Sequence, residues 1–217
     1  DSISGGHETE GKNRFLGFSF HDDFDTFKKI LTYRDWDFCQ IQYNYIDTEI
    51  QAGDRGYELT EELGIPLVIM EPVKGGALAS LPQEISVRFT DFDPLCSLAS
   101  WALRWVASKP NVKVVLSGMS TMEQVKDNLD TFTDFTPLSL QEKEVVADVA
   151  AAIRQRTKNG CTGCAYCMPC PFGVDIPGNF RIWNEWSMYG NDAKTKHAYF
   201  TDMKESARAD QCKKCGK

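Results

Sequence analysis

Six cysteines near the C-terminal end of the sequence have the spacing of metal ligands. They are Cys161, Cys164, Cys167, Cys170, Cys212 and Cys215. The first four follow the pattern C-x2-C-x2-C-x2-C-P, one residue shorter than the C-x2-C-x2-C-x3-C-P run of bacterial iron–sulfur proteins. Short loops between thiolates let successive sulfur atoms converge on one cluster. The spacing therefore predicts a metal site rather than a set of disulfides.

Two kinds of metal site fit this pattern. Two C-x2-C pairs separated by tens of residues can supply the four thiolates of a structural zinc site. Six cysteines, with a proline directly after the fourth, favour iron–sulfur chemistry instead. The sequence stops at CKKCGK, before the third and fourth cysteines of a second run. We therefore expect cluster ligation in this chain to be incomplete.

Composition and charge exclude several classes of protein. The 217 residues are 42% hydrophobic and carry a formal net charge of −7 without a basic run, which argues against nucleic acid as a partner. The apolar run 67–70 is far shorter than the roughly 20 residues that span a bilayer. No secretory signal precedes the first strand, so we expect a cytoplasmic protein in a reducing environment. Cys39 and Cys96 lie in apolar segments and are predicted to be buried.

Apolar segments with strand chemistry alternate with amphipathic helical segments in the first three quarters of the chain. Predicted strands cover residues 14–21, 37–47, 65–72 and 111–120, and predicted helices cover 25–33, 57–64, 94–110, 121–129 and 140–156. Residues 95, 98, 102, 105 and 106 share one face of the third helix. Ser139 and Glu142 form a capping box at the start of the last. This alternation predicts an α/β fold with a parallel sheet.

The composition of the sequence changes at Asn159, where Cys, Gly and Pro become frequent and helical periodicity stops. We therefore divide the chain into residues 1–158 and a cysteine-rich domain at 159–217. A domain of about 60 residues rarely builds a sufficient core, so we expect it to depend on its metal.

Four segments in succession resemble the second half of an aldo/keto reductase. They are RFLGFSFHD, DFCQIQYNYID, GIPLVIMEPVKGGAL and ALRWVASKPNVKVVLSGMSTMEQVKDNL. With the cysteines, the chain is most similar to the subgroup with a C-terminal ferredoxin-type 4Fe-4S extension. The resemblance implies strands five to eight of a (β/α)8 TIM barrel, followed by a small, mainly helical ferredoxin-like module. In that subgroup the extension carries two [4Fe–4S] clusters.

The resemblance also implies a nicotinamide cofactor, NAD(P)H, at the carboxyl ends of the strands. Ser19 and Gln40 match positions that hydrogen-bond the nicotinamide carboxamide, and Met70 replaces an aromatic residue that often stacks on the ring. The other matching positions are Pro72 and the loop to Gly76 at the pyrophosphate, Gly118, Met119 and Ser120 at the adenosine phosphate, and Gln124 and Asn128 around the ribose phosphate and adenine. Gln124 stands where NADPH-selective members usually carry a positive charge, so the resemblance does not predict NADPH preference.

Catalytic residues are the part of the family pattern that this sequence lacks. The Asp, Tyr, Lys and His of the catalytic tetrad come from the first half of the barrel. His21, after the first strand, is the candidate for proton transfer here, and Glu71 and Lys74 beside the cofactor loop could form an ion pair or contact substrate. Half a parallel barrel exposes two strand edges. We therefore expect a fragment of a longer protein, a complementary half-barrel chain or a homo-oligomer.

Two functions follow from these expectations. The first is an oxidoreductase that transfers hydride between a nicotinamide and a small carbonyl or alcohol substrate, coupled to 4Fe-4S clusters and to an electron-transfer partner. The alternative is a non-catalytic metal-binding or electron-relay module with a structural zinc or iron–sulfur site.

Overall fold

The computed structural model describes residues 14–216, which form two compact units. The first unit contains the residues up to Ala79 and Phe89–Ala147. The second contains Ser80–Arg88 and the residues from Asp148 onward. The prediction about a secretory signal falls on residues outside the described range.

The first unit contains the sheet and the helices that pack on it. Its strands are β1 (Gly17–Phe20), β2 (Phe38–Gln42), β3 (Leu67–Met70) and β4 (Val112–Val115). The helices up to the end of the predicted α/β region are α1 (Phe24–Leu31), α2 (Gly53–Glu62), α3 (Gln83–Phe92), α4 (Leu98–Ala107), α5 (Met122–Thr133) and α6 (Leu140–Gln155). Residues 83–88 of α3 and residues 148–155 of α6 belong to the second unit. All four predicted strands are therefore present.

All strand pairs are parallel, in the spatial order β1-β2-β3-β4. Ser19 pairs with Gln40, and Gln42 pairs with Met70. The predicted α/β fold with a parallel sheet is thus confirmed.

The two faces of this sheet differ in burial. One face carries fully buried side chains that pack with α1 and α2, among them Cys39, Ile41, Leu67 and Ile69. The opposite face carries the alternate residues Gln40, Gln42, Val68 and Met70, which are half-buried, and Ser19, which is exposed. Polar side chains on strands therefore point to the open face.

Helix α4 is shorter than the sequence predicts. It begins after Ser97, whose hydroxyl accepts a hydrogen bond from the Ser100 N–H. Leu95, predicted on the buried face of this helix, precedes the cap and is 94% exposed. The helix therefore begins after Leu95, where the apolar pattern has already started, and the prediction for Leu95 is wrong.

Helix α3 lies between the predicted strand 65–72 and the predicted helix 94–110, where no helix is predicted. Ile85 and Phe89, four residues apart, are buried, and the Phe89 ring stacks on Trp101 with centroids 4.8 Å apart. Burial of two large side chains stabilises this helix, although Gly and Pro residues precede it.

The cysteine-rich region of the second unit contains α7 (Ile176–Tyr189) and α8 (Asp192–His197). The Asp175 carboxylate accepts a hydrogen bond from the Gly178 N–H and caps α7, which ends at Gly190 in the left-handed conformation. None of the helices in residues 14–216 is long and apolar enough to cross a membrane.

Candidate functional site

Three predicted nicotinamide-binding residues meet on the open face of the sheet. Gln40 Nε2 donates a hydrogen bond to Ser19 Oγ at 3.3 Å and contacts Met70 Sδ at 3.6 Å. The parallel register brings them together, because Ser19 pairs with Gln40 and Met70 lies at the end of the next strand. The Gln40 amide is thus held between neighbours on both sides.

A buried polar network begins where β2 ends. The Asp47 carboxylate, 1% exposed, accepts hydrogen bonds from Gln42 Nε2 and Asn44 Nδ2, both at 3.0 Å. Lys74 Nζ lies 2.7 Å from Oδ1 and 2.6 Å from Oδ2 of the same carboxylate. Asp47, and not the neighbouring Glu71, is therefore the ion-pair partner of Lys74.

Gln42, Asn44 and Asp47 are not among the site residues predicted from the sequence. The signal was present in QYNYID, where polar side chains alternate with aromatic ones at the carboxyl end of a strand. In parallel α/β barrels that end carries functional groups.

The loop after β3 has an unusual backbone. Glu71, Lys74, Gly75 and Gly76 all have positive φ, with values of 56°, 51°, 56° and 84°. Asn44 Nδ2 donates to the Glu71 carbonyl at 3.1 Å. The N–H groups of Gly75 and Gly76 donate no hydrogen bond within the described residues, and a Cβ on Gly76 would meet open space. This loop therefore presents two available donors next to the Lys74 ammonium.

The predicted adenosine positions form a second group, after β4. Gly118, Met119 and Ser120 are exposed, and Asn128 Nδ2 donates to Ser117 Oγ at 2.8 Å. Gln124 Oε1 accepts from the N–H groups of Ser120 and Thr121, which completes a capping box at the start of α5. Within residues 14–216, no hydrogen bond joins this group to Gln40 or Lys74. His21 lies immediately after β1 and is exposed.

The isolated cysteines differ in environment. Cys39 is completely buried, as predicted, and burial raises the pKa of its thiol to about 12. Cys96 is only partly buried, and its thiol donates to Asp93 at 3.0 Å. Burial and the Asp93 carboxylate raise the pKa of Cys96, so neither thiol is activated.

The six C-terminal cysteines do not form a closed ligand set. Cys170 is partly buried and the other five are exposed. Nowhere between residues 14 and 216 are three His, Cys, Asp or Glu side chains arranged to hold a metal ion. The side-chain arrangement thus does not match the predicted metal site.

The local backbone of two cysteine loops does suit thiolate ligands. Lys214, with φ of 52°, directs its N–H to Cys212 Sγ at 3.4 Å. The Tyr166 backbone N–H and the Thr162 hydroxyl both hydrogen-bond to Cys164. These bonds lower the pKa of the Cys164 thiol, and the Tyr166 N–H has the larger effect. In both loops the backbone N–H two residues after a cysteine faces the sulfur of that cysteine. Hydrogen bonds of this kind tune the redox potential of a metal bound to the thiolate.

One protein-family model matches a segment of the chain that lies mostly in the first unit. Residues 93–151 match the aldo/keto reductase family. The match includes β4 and α5, and with them the predicted adenosine positions Gly118 to Asn128. Among curated proteins, no sequence matches the chain.

Solved aldo/keto reductases share this fold. The holo form of aldo-keto reductase AKR11C1 from Bacillus halodurans is 22% identical, with a TM-score of 0.56 over 67% of this chain and 53% of its own. The glycerol dehydrogenase AKR11B4 from Gluconobacter oxydans is 20% identical, with a TM-score of 0.51 over 68% of this chain and 52% of its own. The chain therefore spans about half the length of these proteins. The family match is thus limited to residues 93–151, and the solved structures share the fold of this chain.

Proposed function

We propose that this chain supplies the nicotinamide-binding part of an aldo/keto reductase-type oxidoreductase. The observation that carries the proposal is the Gln40 amide, fixed between Ser19 and Met70 on the open face of the sheet. A carboxamide is recognised by paired hydrogen-bond donors and acceptors, which amide and hydroxyl groups provide. The fold similarity and the family match over residues 93–151 support the same assignment.

The remainder of the dinucleotide would follow the carboxyl ends of β3 and β4. The loop at residues 71–76 offers an ammonium and two N–H groups that donate no hydrogen bond within residues 14–216, which suit the pyrophosphate. The loop at 117–120 and Asn128 would receive the adenosine end. No cationic side chain occupies position 124, so we expect NADH to bind at least as well as NADPH.

In the proposed reaction, hydride moves between the nicotinamide ring and the carbonyl carbon of a small substrate, while a proton is exchanged at the carbonyl oxygen. The residues described here would bind and orient the nicotinamide. His21 is the candidate proton donor on this chain. The tetrad implied by the resemblance would come from four further βα units that cover the open sheet face.

Cofactor binding by the chain tests this proposal. We expect NADH fluorescence to change on titration with the protein, and Gln40→Leu to weaken binding about tenfold because one positioned hydrogen-bonding group is lost. Gln141→Leu, at an exposed position of α6, is the matched control and should bind like the wild type. Absence of NADH and NADPH binding, or equal binding by Gln40→Leu, would contradict the proposed role.

We also propose that the C-terminal cysteines bind an iron–sulfur cluster. The spacing of Cys161, Cys164 and Cys167, and the N–H groups that face Cys164 and Cys212, support thiolate ligation. Ligation requires these loops to move, because the thiols are not grouped for a metal as they lie. Electron transfer to a partner would be the role of such a cluster.

Metal analysis distinguishes an iron–sulfur cluster from zinc at these cysteines. After anaerobic reconstitution, iron and acid-labile sulfide in near-equal amounts, with a paramagnetic signal after dithionite reduction, are expected for the iron–sulfur site. Stoichiometric zinc without sulfide would instead support the non-catalytic structural role.

A further inference from the structure

Asp47 joins two loops that are distant in sequence. Its carboxylate is almost inaccessible to solvent, and its hydrogen-bond donors are Gln42 at the end of β2, Asn44 from its own loop and Lys74 from the loop after β3. A buried carboxylate is tolerated only when it is paired and hydrogen-bonded. Asp47 and Lys74 therefore depend on one another for their positions.

The same contacts hold the strained part of the second loop. Glu71 and Lys74 adopt left-handed backbone conformations, which are strained for residues other than glycine. Asn44 binds the Glu71 carbonyl, and Asp47 binds the Lys74 side chain. The residues that follow β2 thus fix the loop at both of its strained non-glycine positions.

The fixed loop presents groups suited to an anion. The Lys74 side chain is 26% exposed, so its ammonium is anchored by Asp47 but not fully enclosed. The Gly75 and Gly76 N–H groups have no partner in the described chain, and the space beside Gly76 is open. Successive N–H groups in a turn of this kind form concave sites for phosphate oxygens.

We propose that Asp47 is a positioning residue that holds Lys74 and the 71–76 loop ready for a phosphate-bearing ligand before the ligand arrives. The inference rests on the proposed function, in which that ligand is the dinucleotide, and adds a role for a residue that does not touch it. A purely structural ion pair would predict instead that phosphate has no effect on the loop.

Hydrogen exchange of the loop amides, followed by mass spectrometry on the full chain, tests this role. The probes are inorganic pyrophosphate and, separately, NADH. In the wild type we expect pyrophosphate to slow exchange in the peptide that covers residues 71–79 at least fivefold. Asp47→Asn should speed exchange in this peptide without ligand. It should also raise, about tenfold, the pyrophosphate concentration that gives half of the maximal slowing of exchange. Asp47→Glu, which retains the carboxylate, should recover part of the loss.

Lys74→Met supplies an independent arm in case Asp47→Asn does not fold. It should abolish most of the protection by pyrophosphate. Glu62→Gln and Lys126→Met, at exposed positions, are the matched controls and should behave like the wild type. Undiminished protection in either Asp47→Asn or Lys74→Met would overturn the inference.

The two ligands distinguish this inference from the proposed function. If NADH binds by fluorescence but neither ligand protects the loop, the inference fails and the proposed function stands. If pyrophosphate protects the loop in a manner that needs Asp47 but NADH does not bind, the inference stands and the proposed function fails. Protection by both ligands, lost in Asp47→Asn, supports both.

Discussion

Burial decides which cysteines can react. Cys39 is enclosed between the sheet and its helices, and the desolvation of its thiolate raises the pKa of the thiol to about 12. Because the thiolate is the nucleophile, we expect Cys39 to resist iodoacetamide at pH 8 until the first unit unfolds. Mass spectrometry of native and urea-treated protein measures this, with the exposed Cys161 as the reactive control. Rapid alkylation of Cys39 in the native protein would contradict the buried environment.

Polar residues at the site show what single positions encode. Gln40 is visible in the sequence as a polar residue within an apolar strand, and its spacing from Ile41 places it on the opposite face. Its neighbours Ser19 and Met70 come from other strands, so their contacts depend on the register of the sheet. The sequence therefore predicts the residue but not its surroundings.

At the scale of elements, the capping box of α6 combines with an ion pair. Ser139 and Glu142 exchange the predicted hydrogen bonds, at 2.7 and 3.2 Å, and Glu142 also lies 2.7 Å from Arg104 of α4. Burial acts to raise the pKa of Glu142, but hydrogen bonds from Ser139 and Arg104 outweigh it and lower that pKa from the ordinary value of a glutamate. The capping residue thus also ties α6 to α4.

We expect Glu142→Gln to lower the free energy of unfolding by about 1 kcal/mol at pH 7, since the amide retains the cap but loses the charge. A carboxyl whose folded pKa is lowered stabilises the protein above its unfolded value and loses that contribution as pH falls through the folded pKa. The difference from wild type should therefore shrink as pH falls below 4.5. Urea unfolding at a series of pH values measures it, and Glu144→Gln, on an exposed face, should show no such trend.

Ala52, which precedes α2, and Phe27 of α1 together leave no room for a side chain at Gly56. A Cβ there would lie 2.5 Å from Ala52 Cβ and 3.1 Å from Phe27 Cε1. Helix propensity favours alanine over glycine by roughly 1 kcal/mol, but overpacking costs about 1–3 kcal/mol. We expect Gly56→Ala to lower stability in thermal unfolding, whereas Glu58→Ala, at an exposed position of α2, should change it little. A stabilised Gly56→Ala variant would show that the two helices separate easily.

At the scale of the whole molecule, the two units have different sources of order. The first has a continuous apolar core around the sheet. The cysteine loops of the second are largely exposed and lie outside its helices. If they bind the proposed cluster, metal binding should order them.

We therefore expect anaerobic reconstitution with iron and sulfide to slow hydrogen exchange in peptides covering residues 159–175 and 209–216. Strands β1 to β4 should keep their exchange rates, since they contain no ligand. Replacement of both Cys161 and Cys164 by serine should remove the effect, and a Cys96→Ser control should retain it. Equal protection in the wild type and the double variant would show that these thiols do not bind the cluster.

Much of the fold could be predicted from the sequence because its signals are local. Strand alternation, the Ser139 capping box and the burial of Cys39 depend on residue type and on neighbours within a few positions. Two predictions failed, one for the start of α4 and one for the segment that forms α3, because a cap in the first case and packing in the second outweigh the local pattern. Leu95 continues an apolar pattern past the Ser97 cap, and α3 is stabilised by the contact between Phe89 and Trp101.

Residue type and order along the chain are enough to predict the parallel α/β arrangement and the types of residue at the candidate sites. Tertiary structure decided which of them meet. Lys74 pairs with Asp47, 27 positions away, because the ends of β2 and β3 adjoin in the sheet. The six cysteines remain ungrouped because regular spacing sets the distance between ligands along the chain but does not fold the loops that carry them.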